Sequence, residues 1–150
     1  AKDSFSIPAR KNPASAPLSF NQESLLFIER LNPNTAAYNL YEAVKLTGNL
    51  DFNALRQTLD SIAARHESLR TAFREINGQT RQIIAPPQAV QILIFDLSQS
   101  APDARECEAF EIINAEIVRP MNLQNGNLFK AALVKLSERE NFLLIVMHHI

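Results

Sequence analysis

The 150 residues carry 46% hydrophobic and 21% charged side chains at a formal net charge of -1. That is enough apolar material for one domain or one lobe of a larger domain, without the basic footprint of a nucleic-acid binder or the run of about 18 or more apolar residues that spans a bilayer. Cys107 is the only cysteine, which excludes an internal disulfide and fits a reducing cytoplasm. Ala1 to Ser4 leads into no apolar h-region of a secretory signal, and the absence of a starting Met suggests an internal piece of a longer polypeptide.

Residues 1–17 read as a linker, because Pro8, Pro13 and Pro17 lie among Ser, Ala, Lys and Arg and no apolar period develops. Ser19 and Gln22 then form a capping box, each side chain satisfying an orphan amide at a helix start. Phe20, Ser24, Phe27, Ile28 and Leu31 follow at helical spacing and Pro33 stops the run, which predicts a helix over 19–31. Residues 39–47 alternate apolar and polar as a strand does, and Gly48-Asn49 makes a turn. Asp51 is a good N-cap for a second helix with the stripe Phe52, Leu55, Leu59, Ile62 and Ala63, ending near Arg65.

Runs at 69–76 and 79–84 flank Asn77-Gly78, a pair that tolerates the positive φ angles of a tight hairpin. Pro86-Pro87 breaks the second run, and a further strand is predicted over 90–96. A third helix starts near Pro102, with Asp103 and Glu106 at its positive end. Cys107, Phe110, Ile113 and Ile117 mark its expected buried face, and Pro120 ends it. Strands at 128–136 and 141–148 complete a mixed α/β chain in which helices cover a sheet.

Two of the three histidines, His148 and His149, close the apolar run Phe142 to Met147. A buried strand that delivers titratable residues at its end is a plausible active-site layout. Successive strand residues point to opposite faces, so if the strand continues through both, one imidazole faces the core and the other a cleft. Two surface histidines at a strand end is the plainer alternative. No third histidine, Cys pair or H-E-x-x-H pattern supports zinc. Arg65, His66, Glu67 and Arg70 cluster after the second helix, and an ion-paired junction of helix and strand is favoured there over direct catalysis. Cys107, on a helical apolar stripe, reads as core rather than nucleophile. There is no glycine-rich phosphate loop and no G-x-S-x-G elbow.

Several stretches resemble those of a known family. Leu18-Ser19-Phe20-Asn21-Gln22 is similar to the opening motif of nonribosomal peptide synthetase condensation domains. Ala37-Tyr38-Asn39, then Leu46-Thr47-Gly48-Asn49-Leu50-Asp51, resembles the segment that follows it. Arg65 to Phe73 matches R-H-E-x-L-R-T-x-F at every fixed position, and Met147-His148-His149-Ile150 resembles the start of H-H-x-x-x-D-G. The motifs occur in the family's order from residue 18 onward. The chain departs from the pattern at Ser24 and Leu26, where Arg and an aromatic are usual, and at Pro120-Met121-Asn122-Leu123, where P-F-D-L is usual.

The resemblance implies a chloramphenicol acetyltransferase-like fold of two α/β lobes around a tunnel, with residues 18–150 forming most of the N-terminal lobe. It implies amide formation between an acyl or peptidyl thioester donor and an aminoacyl thioester acceptor. Both would arrive on the 4'-phosphopantetheine arms of an upstream and a downstream carrier domain, and no directly bound cofactor is implied. Further implied partners are the C-terminal lobe and an adenylation domain. His149, the second histidine of the motif, is the implied catalytic residue. His148 packs inward, and Arg65 or Arg70 pairs with the motif's aspartate. Of the subtypes, an ordinary condensation domain fits best. The alternatives are an acyl-CoA-dependent acyltransferase of the same fold and an inactive lobe that docks carrier proteins.

Overall fold

The computed structural model describes residue 10 and residues 12–150. Among the described residues two sheets and three α-helices are formed. β1 (Ser15–Ala16), β4 (Gln79–Ile84) and β3 (Thr71–Ile76) make a three-stranded antiparallel sheet in that order. β2 (Asn39–Thr47), β7 (Glu140–His148), β6 (Phe129–Lys135) and β5 (Ile92–Asp96) make the four-stranded sheet in that order. β5 and β6 run parallel, joined by a crossover that contains helix α3 (Pro102–Ile117); the other pairs are antiparallel. The predicted strand and helix composition is present, divided between two sheets rather than gathered in one.

Local signals set most boundaries. Helix α1 (Phe20–Leu31) begins with both halves of the predicted capping box, Gln22 N–H to Ser19 Oγ and Ser19 N–H to the Gln22 side chain. Helix α2 (Phe52–Arg65) is capped by Asp51, whose carboxylate accepts the Ala54 amide at 3.0 Å. The β3–β4 hairpin turns on Asn77 (φ 52°) and Gly78 (φ 76°), both positive as a two-residue turn of this hand requires. Residues 67–70, of which 69 and 70 were expected to begin the strand, form a 3₁₀ turn instead. There the Thr71 hydroxyl closes back on the Glu67 carbonyl at 2.7 Å.

Residues 1–17 are not linker throughout. Residues 1–9 and 11 lie outside the described residues, but Ser15 and Ala16 pair with Ile83 and Gln82. An exposed edge of β4 supplies unpaired backbone groups, and an extended segment can use them without any apolar pattern of its own.

The inner strands of the larger sheet, β6 and β7, are covered on both faces. On one side α3 and the small sheet enclose Phe73, Ala109, Ile113, Val134, Leu144 and Val146; on the other, α2 lays Leu59 over Ala131, Leu133 and Leu143. The α3 stripe is rotated from its predicted position. Ala109, Ile113 and Glu116 are buried, while Cys107 is exposed and Phe110 is half exposed against Phe142. Helix spacing alone does not separate these two faces, because apolar residues lie on both. Cys107 is therefore not core. On α1 the predicted stripe stays outside, with Phe20, Phe27 and Leu31 at 88%, 62% and 70% exposure; Leu18 and Leu26 make the core contact instead.

Gly126 lies in the turn before β6 at φ +79°, where an added Cβ would come within 3.1 Å of the Ala72 Cβ. Ala72 is itself buried in β3. Gly126→Ala therefore meets both a left-handed backbone and a crowded neighbour, and should destabilise the fold by about 1–2 kcal/mol. A thermal unfolding midpoint equal to that of the unsubstituted chain would contradict this.

Candidate active site

β7 is the central strand that carries the histidines. Its run Phe142 to Met147 is mostly buried because β2 and β6 flank it and helices cover both faces. At its end the backbone is pinned from both sides: the His148 amide donates to the Leu128 carbonyl at 3.0 Å, and the His149 amide to the Tyr38 carbonyl at 2.9 Å. One residue further, the Ile150 carbonyl accepts from the Gln22 side chain at 3.1 Å. The capping glutamine of α1 thus also holds the segment after the histidine pair.

β7 ends at His148, and the two rings lie in different surroundings. His148 is 8% exposed, tilted against Tyr38 with ring centroids 6.2 Å apart. His149 is exposed. The Ile150 amide donates to His148 Nδ1 at 3.1 Å, so that nitrogen carries no proton and a neutral ring must carry it on Nε2. Burial pushes the His148 imidazole below its ordinary value of 6.5, and the neighbouring His149 pushes it the same way. His148 is thus a neutral, inward-facing ring of one tautomer.

This burial has a consequence for acid stability. With the folded pKa below the unfolded one, both states are neutral well above pH 6.5 and stability is complete there. As pH falls below 6.5 the unfolded chain takes up a proton that the folded chain refuses, and stability drops. The unfolding midpoint should decline from pH 7.5 to 5.5, and decline less in His148→Asn. Parallel curves for the two proteins would show that His148 does not carry the effect.

Among the described residues neither Arg65 nor Arg70 makes a hydrogen bond to His148 or His149. Arg65 ends α2, is exposed, and makes no side-chain hydrogen bond or ion pair among the described residues. Arg70 instead ties the α2–β3 junction. Its guanidinium donates to the carbonyls of Ala85 and Ala64, and it faces Glu67 at 4.0 Å. Glu67 also pairs with Arg10 at 2.6 Å. This is the ion-paired junction favoured from the sequence for Arg70; Arg65 takes no part in it. Arg70 also lines a cavity of about 610 Å³ together with Arg74, Arg119 and Lys130, a convergence of cations that sequence separation hides.

A buried polar network lies beside the histidines, and no local motif announces it. Glu116, with its side chain 3% exposed, meets Arg119 at 2.8 Å and Lys130 at 3.4 Å. Asn39, 9% exposed, donates through Nδ2 to the carbonyls of Ile117 at 2.7 Å and Arg119 at 3.1 Å. Such contacts join β2 and β6 to the end of α3, across long sequence separations.

The family model described as "Condensation domain" matches residues 12–150, and the chain belongs to that family. To a linear gramicidin synthase of Brevibacillus parabrevis it is 40% identical over 134 residues, covering 89% of this chain and 3% of that protein. To surfactin synthase subunit 2 of Bacillus subtilis (strain 168) it is 36% identical over 134 residues, covering 89% and 4%. The chain thus spans a few per cent of the length of these relatives. Among solved structures, the starter condensation domain of rhizomide synthetase superposes with a TM-score of 0.80 at 24% identity, over 90% of this chain and 32% of that one. The first condensation domain of the CDA synthetase does so at 0.79 and 22%, over 93% and 36%. The fold is the chloramphenicol acetyltransferase-like one implied by the sequence motifs. Among the described residues no helix is long and apolar enough to cross a membrane.

Proposed function

We propose that this chain is most of the N-terminal lobe of a condensation domain that joins two carrier-bound substrates by an amide bond in nonribosomal peptide synthesis. The donor is an acyl or peptidyl thioester and the acceptor an aminoacyl thioester. Each is held on the 4'-phosphopantetheine arm of a carrier domain, upstream for the donor and downstream for the acceptor. The C-terminal lobe supplies the other wall of the reaction tunnel, an adenylation domain loads the carriers, and the assembly works in the cytoplasm. The observation that carries this reading is the split histidine pair: His148 sealed inward as a neutral ring, His149 outward on a backbone held by the Tyr38 carbonyl.

The chemistry needs a group of this kind. The acceptor amine attacks the thioester carbonyl, a C–N bond forms, and the C–S bond breaks. The amine nitrogen gives up a proton and the departing thiolate takes one. Imidazole, with an ordinary pKa of about 6.5, can accept the first and return the second near neutral pH. His149 therefore serves as proton acceptor or orienting partner of the amine, and its cationic form helps stabilise the charged tetrahedral intermediate. Alignment of two tethered arms contributes as well, since favourable orientation is worth about 7–11 kcal/mol in well-ordered reactions. Arg70, or Arg65 on the same α2–β3 connection, pairs with the motif's aspartate and keeps the loop after the histidines in place.

The test is reconstitution. The whole condensation domain, given a donor carrier loaded with an acyl thioester and an acceptor carrier loaded with an aminoacyl thioester, should release the donor carrier's thiol and leave an amide on the acceptor. Transfer from acyl-CoA to a free amine, with no product from carrier-bound substrates, would favour the acyl-CoA-dependent acyltransferase. No transfer from either donor would favour a docking lobe.

A further inference from the structure

Asn39 opens β2 and is the register partner of His148 across the antiparallel pair. Directly opposed residues project their side chains to the same face, and both of these are more than nine-tenths buried. The Asn39 amide group serves two carbonyls at once, those of Ile117 and Arg119. Only an NH₂ can do this, so the orientation of the carboxamide is decided and Oδ1 must be the atom left over. That Oδ1 is buried and has no hydrogen-bond partner.

His148 presents the complementary deficit. Its Nδ1 is occupied as an acceptor by the Ile150 amide, so Nε2 is the donor, and Nε2 is also buried without a partner. An orphan donor and an orphan acceptor thus lie on one face of a register pair. Left alone, each costs about 1–3 kcal/mol.

The place of this pair in the fold matters for the reaction. Tyr38, the residue before Asn39, supplies the carbonyl that holds the His149 amide. The carbonyls bound by Asn39 belong to the end of α3, which is anchored to β6 through Glu116 and Lys130. Motion of Asn39 would therefore move the backbone that aims His149.

We propose that Asn39 is a positioning residue for the histidine pair. It clamps the α3 end to the sheet and, through one buried water between Oδ1 and Nε2, reinforces the Nε2–H form that the Ile150 amide sets, so that His149 leaves the strand in a fixed direction. This rests on His149 acting on the acceptor amine.

The experiment uses the whole condensation domain with ¹⁵N-labelled histidine, comparing unsubstituted protein, Asn39→Ala and Asn39→Ser. Imidazole spectra at pH 7.5 should show His148 of the unsubstituted protein with a protonated Nε2 and an unprotonated Nδ1. In Asn39→Ala the Nε2 signal should shift and broaden, while kcat for amide formation falls about tenfold or more and KM for both carriers stays within twofold. Asn39→Ser, which keeps a small polar group, should recover part of both signals. A His148 that carries its proton on Nδ1 in the unsubstituted protein overturns the proposal whether or not the variants fold. So does an Asn39→Ala spectrum identical to the unsubstituted one. Full activity of His149→Ala would instead overturn the functional reading beneath it. That result is recognised separately, because the His148 spectrum does not depend on turnover.

Discussion

Alanine at position 149 of the whole condensation domain should lower single-turnover amide formation by more than tenfold, within the range of about 10²–10⁴ that a positioned acid–base group contributes. The unfolding midpoint should not move. Both halves of that expectation come from geometry. The His149 ring is exposed and makes no side-chain hydrogen bond among the described residues, so its removal leaves no cavity and no orphaned partner. Its backbone amide, which alanine retains, keeps the bond to Tyr38. The loss should therefore fall on the rate alone. Some rate should remain, because the arms are still brought together. Product formation at an undiminished rate, with both carriers fully loaded and release not limiting, would remove His149 from the chemistry.

The second large effect lies earlier on the same strand, at its buried centre. Leu144 is 1% exposed, stands opposite Ala43 on β2 and Ala132 on β6, and packs with Val134, Phe142 and Val146 in the main core. Leu144→Ala removes branched volume where small residues on both flanking strands cannot fill the gap, and should cost about 2–5 kcal/mol. The denaturant midpoint should fall at constant slope, the sign of lost stability without a change in the surface exposed on unfolding. Below its lowered midpoint the variant should still condense substrates, because the ladder bonds that aim His149 are backbone bonds. An unchanged denaturant midpoint would mean that the site collapses around the gap, contrary to the packing described.

Both positions lie on β7 or at its end, and they divide its work. One strand provides both the centre of the core and the delivery of the histidines. Burial makes the strand rigid, and at its end one imidazole lies inward and the next outward. The same burial depresses the His148 pKa and ties its protonation to folding.

Much of this was legible in the sequence because it is local. Ser19 with Gln22, Asp51, Asn77-Gly78 and Pro102 act within one turn of backbone, and each element they announce is present. The expectation that His148 and His149 part needs only the two-residue period of a strand continued through both, although β7 itself ends at His148. The motifs around Arg65 to Phe73 and Met147 to Ile150 led to the condensation family, whose model matches the chain.

What the amino-acid order could not decide is which surface each element turns inward and what its long-range neighbours are. Phe20, Phe27 and Leu31 have the spacing of a buried stripe yet remain outside, and Cys107 lies on the wrong side of α3. Ser15 and Ala16 became a strand only because β4 offered an open edge. Asn39 belongs to the Ala37-Tyr38-Asn39 segment noted in the sequence, but nothing local gives its contacts. Its partners lie 78 and 80 residues away, in α3's last turn and beyond, and its register mate lies across the sheet. Capping, turn and alternation energies act between neighbours and so are written in the order of residues. Facing, register and the satisfaction of buried polar atoms arise only when distant segments exclude water from one another, and the tertiary structure alone decides them.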